Sequence, residues 1–187
     1  KDHLGVAPNH CFEADVMVTS NGDEATVKKR MPHKDLCTFT LPKKARLYSD
    51  ISKFLMSKGD LLHPKQLCFL NIPCNRGIQS YPIVTTVQGT FQIQGSGPVD
   101  VMETRLTTGG VFDTYVTTAG DCGSIVTRVD NASIRKILGI HVGGSQTSGY
   151  VSLVLKDDVF DGVAQNLSTD QIVVANQHVF LSPDTLN

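Results

Sequence analysis

A chain of 187 residues with 40% hydrophobic content can bury a real core, as one large domain or two small ones. Its formal net charge of -1 excludes a surface that traps polyanions as a whole, and no apolar run approaches the roughly 20 residues that span a bilayer. Five cysteines, an odd number without framework spacing, predict reduced thiols in a cytosolic setting. No signal peptide is visible, and the lack of Trp argues against an aromatic stacking platform.

Along the chain the dominant signal is short strands. Residues 11–19 alternate (Phe12, Ala14, Val16, Val18), the period of a half-buried strand, and residues 36–41 repeat the pattern in brief. Residues 50–58 form the one convincing helical patch, and it is short. An apolar run of strand length, residues 67–72, ends at Pro73. Residues 73–82 mix Asn, Gly and Pro with polar residues and read as a connector, which places a boundary there. Residues 91–94 and 99–106 flank Gly95-Ser96-Gly97-Pro98 as a hairpin would. Strands then follow at 111–116, 124–129, 134–142 and 149–155. From about Gly162 the pattern weakens, and residues 166–187 read as an appended tail. Many short strands with turn residues between them predict an all-β sandwich or barrel.

The chemistry concentrates in Thr117-Thr118-Ala119-Gly120-Asp121-Cys122-Gly123-Ser124. Glycines on both sides of one reactive residue let the backbone turn sharply and expose its N–H groups. Such a turn holds a thiolate at the surface and aims amides at a developing oxyanion. A thiol needs a base or a positive field to ionise near neutral pH, so a catalytic Cys122 demands a histidine close in space. Six histidines compete: His3, His10, His33, His63, His141 and His178. His10 closes Val6-Ala7-Pro8-Asn9-His10 just before the first alternating segment, where a side chain can face a cleft. His141, within Gly139-Ile140-His141-Val142-Gly143-Gly144, can line a pocket and donate a hydrogen bond to a side-chain amide. The acid that orients the base is best supplied by Asp35, while Asp15, Asp23 and Glu24 lie nearer His10 in sequence and spacing does not choose among them.

Each of these residues has an ordinary alternative. Cys122 could be a small buried hydrophobe, His10 a loop histidine and His141 a satisfied core histidine. Ser124 could replace Cys122 as nucleophile only if the segment were extended, which the turn opposes. Cys68 and Cys74 are too widely spaced for a zinc knuckle, and neither His10-Cys11 nor His33 with Cys37 completes a site, so no metal or cofactor is expected. The three segments together point to a peptide hydrolase.

Over residues 10–165 the chain resembles the 3C-type cysteine proteases of picornaviruses and picorna-like viruses. The resemblance is carried, in the family's order, by the segment ending at His10, by Asp35-Leu36-Cys37-Thr38-Phe39-Thr40-Leu41, by the Cys122 turn and by the His141 segment. It implies a chymotrypsin-like double β-barrel with residues 1–75 as the first barrel, 76–165 as the second and 166–187 as a C-terminal extension. It implies Cys122 as nucleophile, His10 as general base and acid, Asp35 as orienting acid, and the N–H groups of Gly120 and Cys122 as the oxyanion hole. Thr117 and His141 would then line a pocket for Gln, sometimes Glu, before the cut, with Gly143 and Gly144 beside an extended substrate strand. The implied substrate is a viral polyprotein in the host cell cytoplasm. A basic loop of Lys43, Lys44 and Arg46 would contact viral RNA, although Leu47-Tyr48-Ser49-Asp50-Ile51 lacks the family's arginine.

The chain departs from the family elsewhere too. The family places a helix and strands before its catalytic histidine, so the first barrel is expected to be incomplete here at its N-terminus, with the leading segment elsewhere. Asp121 rather than Gln precedes the cysteine, and Ser124 replaces a second glycine. Gln165-Asn166 falls where family members end and reads as a self-cleavage junction or as part of a longer native C-terminus. Two rivals remain at this point: an RNA-binding β-barrel module with vestigial protease residues, and a trypsin-like serine hydrolase.

Overall fold

The computed structural model describes residues 2–44, 49–57, 60–94, 104–113, 117–129, 136–145, 147–160, 170–174 and 177–181. β1 (His3–Pro8), β2 (Val16–Val18), β3 (Glu24–Met31) and β4 (Leu36–Leu41) form an antiparallel sheet in the order β1-β4-β3-β2. After β5 (Leu61–Leu62) come β6 (Lys65–Cys74), β7 (Gly77–Gln94), β8 (Thr104–Phe112), β9 (Ile125–Arg128), β10 (Ile137–Gly144) and β11 (Gly149–Leu153). These six close into a barrel in the order β10-β11-β8-β7-β6-β9. The α1 turn (Lys156–Val159) follows, and β12 (Asp170–Val174) pairs with β13 (Gln177–Leu181) and, in parallel, with β5. The all-β architecture expected from the sequence is present, as one closed barrel and one open sheet.

Three expectations need correction. Residues 11–19 are not one strand: Asn9–Cys11 is a 3-10 turn, and pairing resumes only at β2. Nor do its apolar positions share a buried face: Ala14, Val16 and Val18 are exposed, and only Phe12 packs, from a loop, on Phe39 with ring centroids 5.2 Å apart. The described residues of 50–58 hold a single 3-10 turn, Ser52–Phe54, because Leu55 and Met56 are taken up by bridges to Ile137 and Leu155. The connector expected at 73–82 is the tip of the β6–β7 hairpin, whose register runs unbroken from Lys65↔Thr86 to Cys74↔Gly77. Gly77, at φ 122, supplies the turn, and the pairing continues past both Pro73 and Pro82. A boundary at 75/76 therefore cuts through one hairpin, and the strands regroup between β4 and β6 instead.

Burial follows from this grouping. Cys68, Leu70, Ile83, Phe112, Val126, Leu138, Val151 and Leu153 fill the barrel. A second cluster draws Met31 and Leu36 from the sheet and Ile137, Ile140 and Val142 from β10, and forms the seam between the two units. β10 is buried over seven of its eight residues because it serves both clusters, Leu138 facing the barrel and its neighbours the seam. The seam brings the end of β1 and the start of β4 against the segment that precedes β9.

Candidate active site

Cys122 lies between two glycines with left-handed backbones, Gly120 at φ 98 and Gly123 at φ 93, where a side chain would strain the turn. The turn is tied from within. The Asp121 N–H donates to the Thr118 carbonyl at 3.1 Å and the Ser124 N–H to the Asp121 carbonyl at 3.1 Å. The Asp121 carboxylate accepts from the Thr118 N–H at 2.7 Å and from its hydroxyl at 3.2 Å. Among the described residues the N–H groups of Gly120 and Cys122 make no such bond. Ser124 is buried, which removes it as a nucleophile and leaves Cys122 half-buried at the surface.

His10 approaches from the sheet. It is the middle residue of the Asn9–Cys11 turn that follows β1, and its backbone N–H donates to Asp35 Oδ1 at 3.1 Å while its Nδ1 donates to Asp35 Oδ2 at 2.7 Å. Asp35 is 3% exposed at its side chain and adopts φ 51, a left-handed conformation that Asp tolerates better than most residues. That geometry ends the Pro32–Lys34 turn and swings the carboxylate toward His10. Asp15, nearer in sequence, is instead bound by Arg30, whose guanidinium also holds Asn9 and the Phe12 carbonyl and so clamps the loop that carries His10. The Cys122 thiol lies close enough to the imidazole to help raise its basicity. Sequence reasoning missed a second thiol here: Cys11 Sγ lies 3.6 Å from His10 Nε2.

Burial by itself would depress the basicity of His10. Hydrogen bonds to Asp35, Cys11 and Cys122, with the Asp35 charge, outweigh it and raise the pKa from 6.5 to about 11. The site thus favours the charged imidazole that forms when His10 accepts a proton, the partner a thiolate needs. Because the folded value lies above the unfolded one, this contribution to stability is complete below pH 6.5 and is lost as pH rises toward 11. Chemical denaturation between pH 6.5 and 9 should show stability falling in the wild type and a flatter profile in His10→Gln. That window precedes ionisation of the buried thiols Cys37 and Cys68, both pushed up to about 11, first of all by burial. Equal slopes would contradict the assignment.

His141 belongs to the same neighbourhood. Its carbonyl accepts the Gly123 N–H at 2.8 Å and its N–H donates to the Ser124 carbonyl at 2.9 Å, so the residues after Cys122 are stitched to β10. The ring is 1% exposed, packs on Phe112 with centroids 5.8 Å apart, and donates from Nδ1 to the Tyr150 carbonyl at 3.0 Å. A bulge between His141 and Gly143 shifts the β10–β11 register here. A side chain at Gly144 would collide with the Thr117 hydroxyl, which puts Thr117 and Gly144 in one wall, with Gly143 buried beside them. The candidates for catalysis and pocket therefore converge. Lys43 and Lys44 are exposed, while Arg46 and Gln165-Asn166 lie outside the described residues. No group of three or more metal-ligating side chains occurs among the described residues.

The sequence profile of the 3C cysteine protease (picornain 3C) matches residues 8–146, a span that holds His10, Asp35, Cys122 and His141. The chain belongs to the 3C cysteine protease family. No curated protein matches its sequence. Among solved structures it is similar to the HRV-C 3C protein with rupintrivir, at 19% identity and a TM-score of 0.58, over 83% of this chain and 82% of that one. It is also similar to the NS6 protease from murine norovirus 1, at 11% identity and a TM-score of 0.52, over 81% and 80% of the two chains. An inactive murine norovirus NS6 protease extended into NS7 gives 11% identity and a TM-score of 0.52, over 81% of this chain and 84% of that one. The 3C protease described here is thus a chymotrypsin-like cysteine endopeptidase of viral type that acts on polypeptides. Its barrel carries the Cys122 turn, and its open sheet carries His10 and Asp35. No described helix is long and apolar enough to cross a membrane.

Proposed function

We propose that this 3C protease cleaves a viral polyprotein after Gln, or less readily Glu, in the host cell cytoplasm, through Cys122, His10 and Asp35. The observation that carries the reading is one imidazole bonded to Asp35 through Nδ1 at 2.7 Å and close enough to Cys122 for the thiol to raise its basicity. Asp35 fixes the ring so that Nε2 faces the thiols. His10 takes the Cys122 proton, and the thiolate attacks the scissile carbonyl. The oxyanion forms against the N–H groups of Gly120 and Cys122, where losing one donor typically costs about 10²–10³ in rate. Protonated His10 then gives its proton to the leaving amine, and water hydrolyses the thioester with His10 again as base. The norovirus protease with its own extension into NS7 supports a junction within a polyprotein as the kind of substrate.

Two thiols at one imidazole call for a choice. Cys122 has the glycine turn and the amides; Cys11 has neither. Cys11→Ser should keep kcat within about threefold of wild type on a Gln-containing peptide, since the serine hydroxyl can keep a hydrogen bond at His10 Nε2. A loss of 10²-fold or more would transfer the nucleophile's role to Cys11.

Asp35→Asn should lower kcat by about 10²-fold or more. It should also move the His10 titration, followed by NMR, downward from about 11, because a hydrogen-bonded carboxylate no longer favours the charged ring. An unchanged kcat with an unchanged titration would remove Asp35 from the triad. RNA contact through Lys43, Lys44 and Arg46 is a separate proposal for which the exposure of Lys43 and Lys44 is the support. It requires affinity that falls steeply with salt.

A further inference from the structure

Lys34 immediately precedes Asp35, and it is 1% exposed. Its Nζ lies 3.1 and 3.0 Å from the two carboxylate oxygens of Asp158, in the α1 turn that follows the barrel. Asp158 also caps that turn by accepting the Leu155 N–H at 2.8 Å. The Lys34 carbonyl accepts the Ser152 hydroxyl of β11 at 2.6 Å and the Thr107 hydroxyl of β8 at 3.2 Å. Every one of these partners belongs to the barrel side, whereas Lys34 belongs to the Pro32–Lys34 turn between β3 and β4 of the open sheet.

The triad is divided along the same line. Cys122 is on the barrel, and His10 and Asp35 are on the sheet, so catalysis needs the two units in fixed register. The buried cluster at the seam is apolar, and apolar contact is non-directional. Lys34 supplies direction. Its neighbour Asp35 is left-handed at φ 51, and the Asp35 carbonyl accepts the Asn9 N–H at 2.9 Å while its carboxylate takes two bonds from His10. An unbroken run of bonds thus leads from Asp158 through the Lys34–Asp35 backbone to the imidazole. A buried ion pair adds little net stability against an apolar replacement, but it does penalise misplacement of either partner.

We propose that Lys34 is a positioning residue of the catalytic centre, with Asp158 as its partner: together with the two hydroxyl bonds, the pair locks the turn before Asp35 onto the barrel and sets His10 against Cys122. The inference rests on the triad reading above. Its test is the double variant Lys34→Met/Asp158→Asn, which buries no unpaired charge and keeps an acceptor for the Leu155 N–H. The expected result is a folded protein with kcat lowered about 10- to 100-fold and KM changed less than about threefold. The pH dependence of Cys122 carboxymethylation by iodoacetate, mapped by peptide mass spectrometry, should shift by about one unit or more, because the imidazole no longer sits squarely on the thiol. A folded double variant with wild-type kcat and an unchanged alkylation profile overturns the proposal, as does a loss confined to KM. If the double variant does not fold, Asp158→Asn alone is read in the same way. Failure of both to fold assigns the pair to the fold alone and equally overturns it. Asp35→Asn, assayed in parallel, separates the two levels. An active Asp35→Asn sinks the triad reading, whereas an impaired Asp35→Asn beside an unimpaired double variant sinks only the role of Lys34.

Discussion

Cys122→Ala is expected to lower kcat on a Gln-containing peptide by about 10⁴-fold or more, while peptide binding is kept. The loss is this large because the step disappears altogether: without sulfur there is no thioester, and water must attack unaided. The turn itself should survive. Its bonds run through Asp121, Thr118 and Ser124, and its two positive-φ positions are glycines on either side of the substituted residue. KM, or the dissociation constant of the uncleaved peptide, should therefore stay within about threefold of wild type. Wild-type cleavage by Cys122→Ala would remove the nucleophile from the account, and the same loss in Cys11→Ser would relocate it.

Replacing Gln before the cut by Leu is expected to lower kcat/KM by about 10⁴-fold, the discrimination typical of a site built to hydrogen-bond its substrate. On the reading proposed above, His141 imposes it. Its Nδ1 donates to the Tyr150 carbonyl, which fixes the ring beside the wall formed by Thr117 and Gly144. His141→Ala should flatten the preference for Gln. It should also destabilise the barrel, by about 2–4 kcal/mol, because it empties a buried ring site packed on Phe112. Equal rates for Gln and Leu in the wild type would take His141 out of the pocket.

What could be read from the sequence was local. The glycines at 120 and 123 announced a turn because a positive φ is a property of single residues, and both adopt one. β4 is found at the residues its alternation indicated, although its first three residues, Leu36 to Thr38, are all buried. The choice among Asp15, Asp23, Glu24 and Asp35 was not legible, because it is made by Arg30 capturing Asp15 and by a left-handed backbone at Asp35. β1 went unnoticed for a related reason. Gly5 and Pro8 are poor strand residues, and the strand exists because β4 offers it a partner and the Phe39 ring lies across Gly5. The hairpin at Cys74 and Gly77 looked like a linker because turn chemistry is the same in both. Lys34 and Asp158, 124 residues apart, left no mark on either local pattern.

The central claim is that the sulfur of Cys122, activated by His10, forms the bond to the substrate. The most direct measurement is an acid quench of wild-type enzyme during turnover of an activated ester of a Gln-terminated peptide, followed by peptide mass mapping. The account predicts an acyl adduct on the fragment containing Cys122, absent from His10→Ala at the same time point. An adduct on Cys11 or Ser124, or turnover with no covalent species at any quench time, would contradict it.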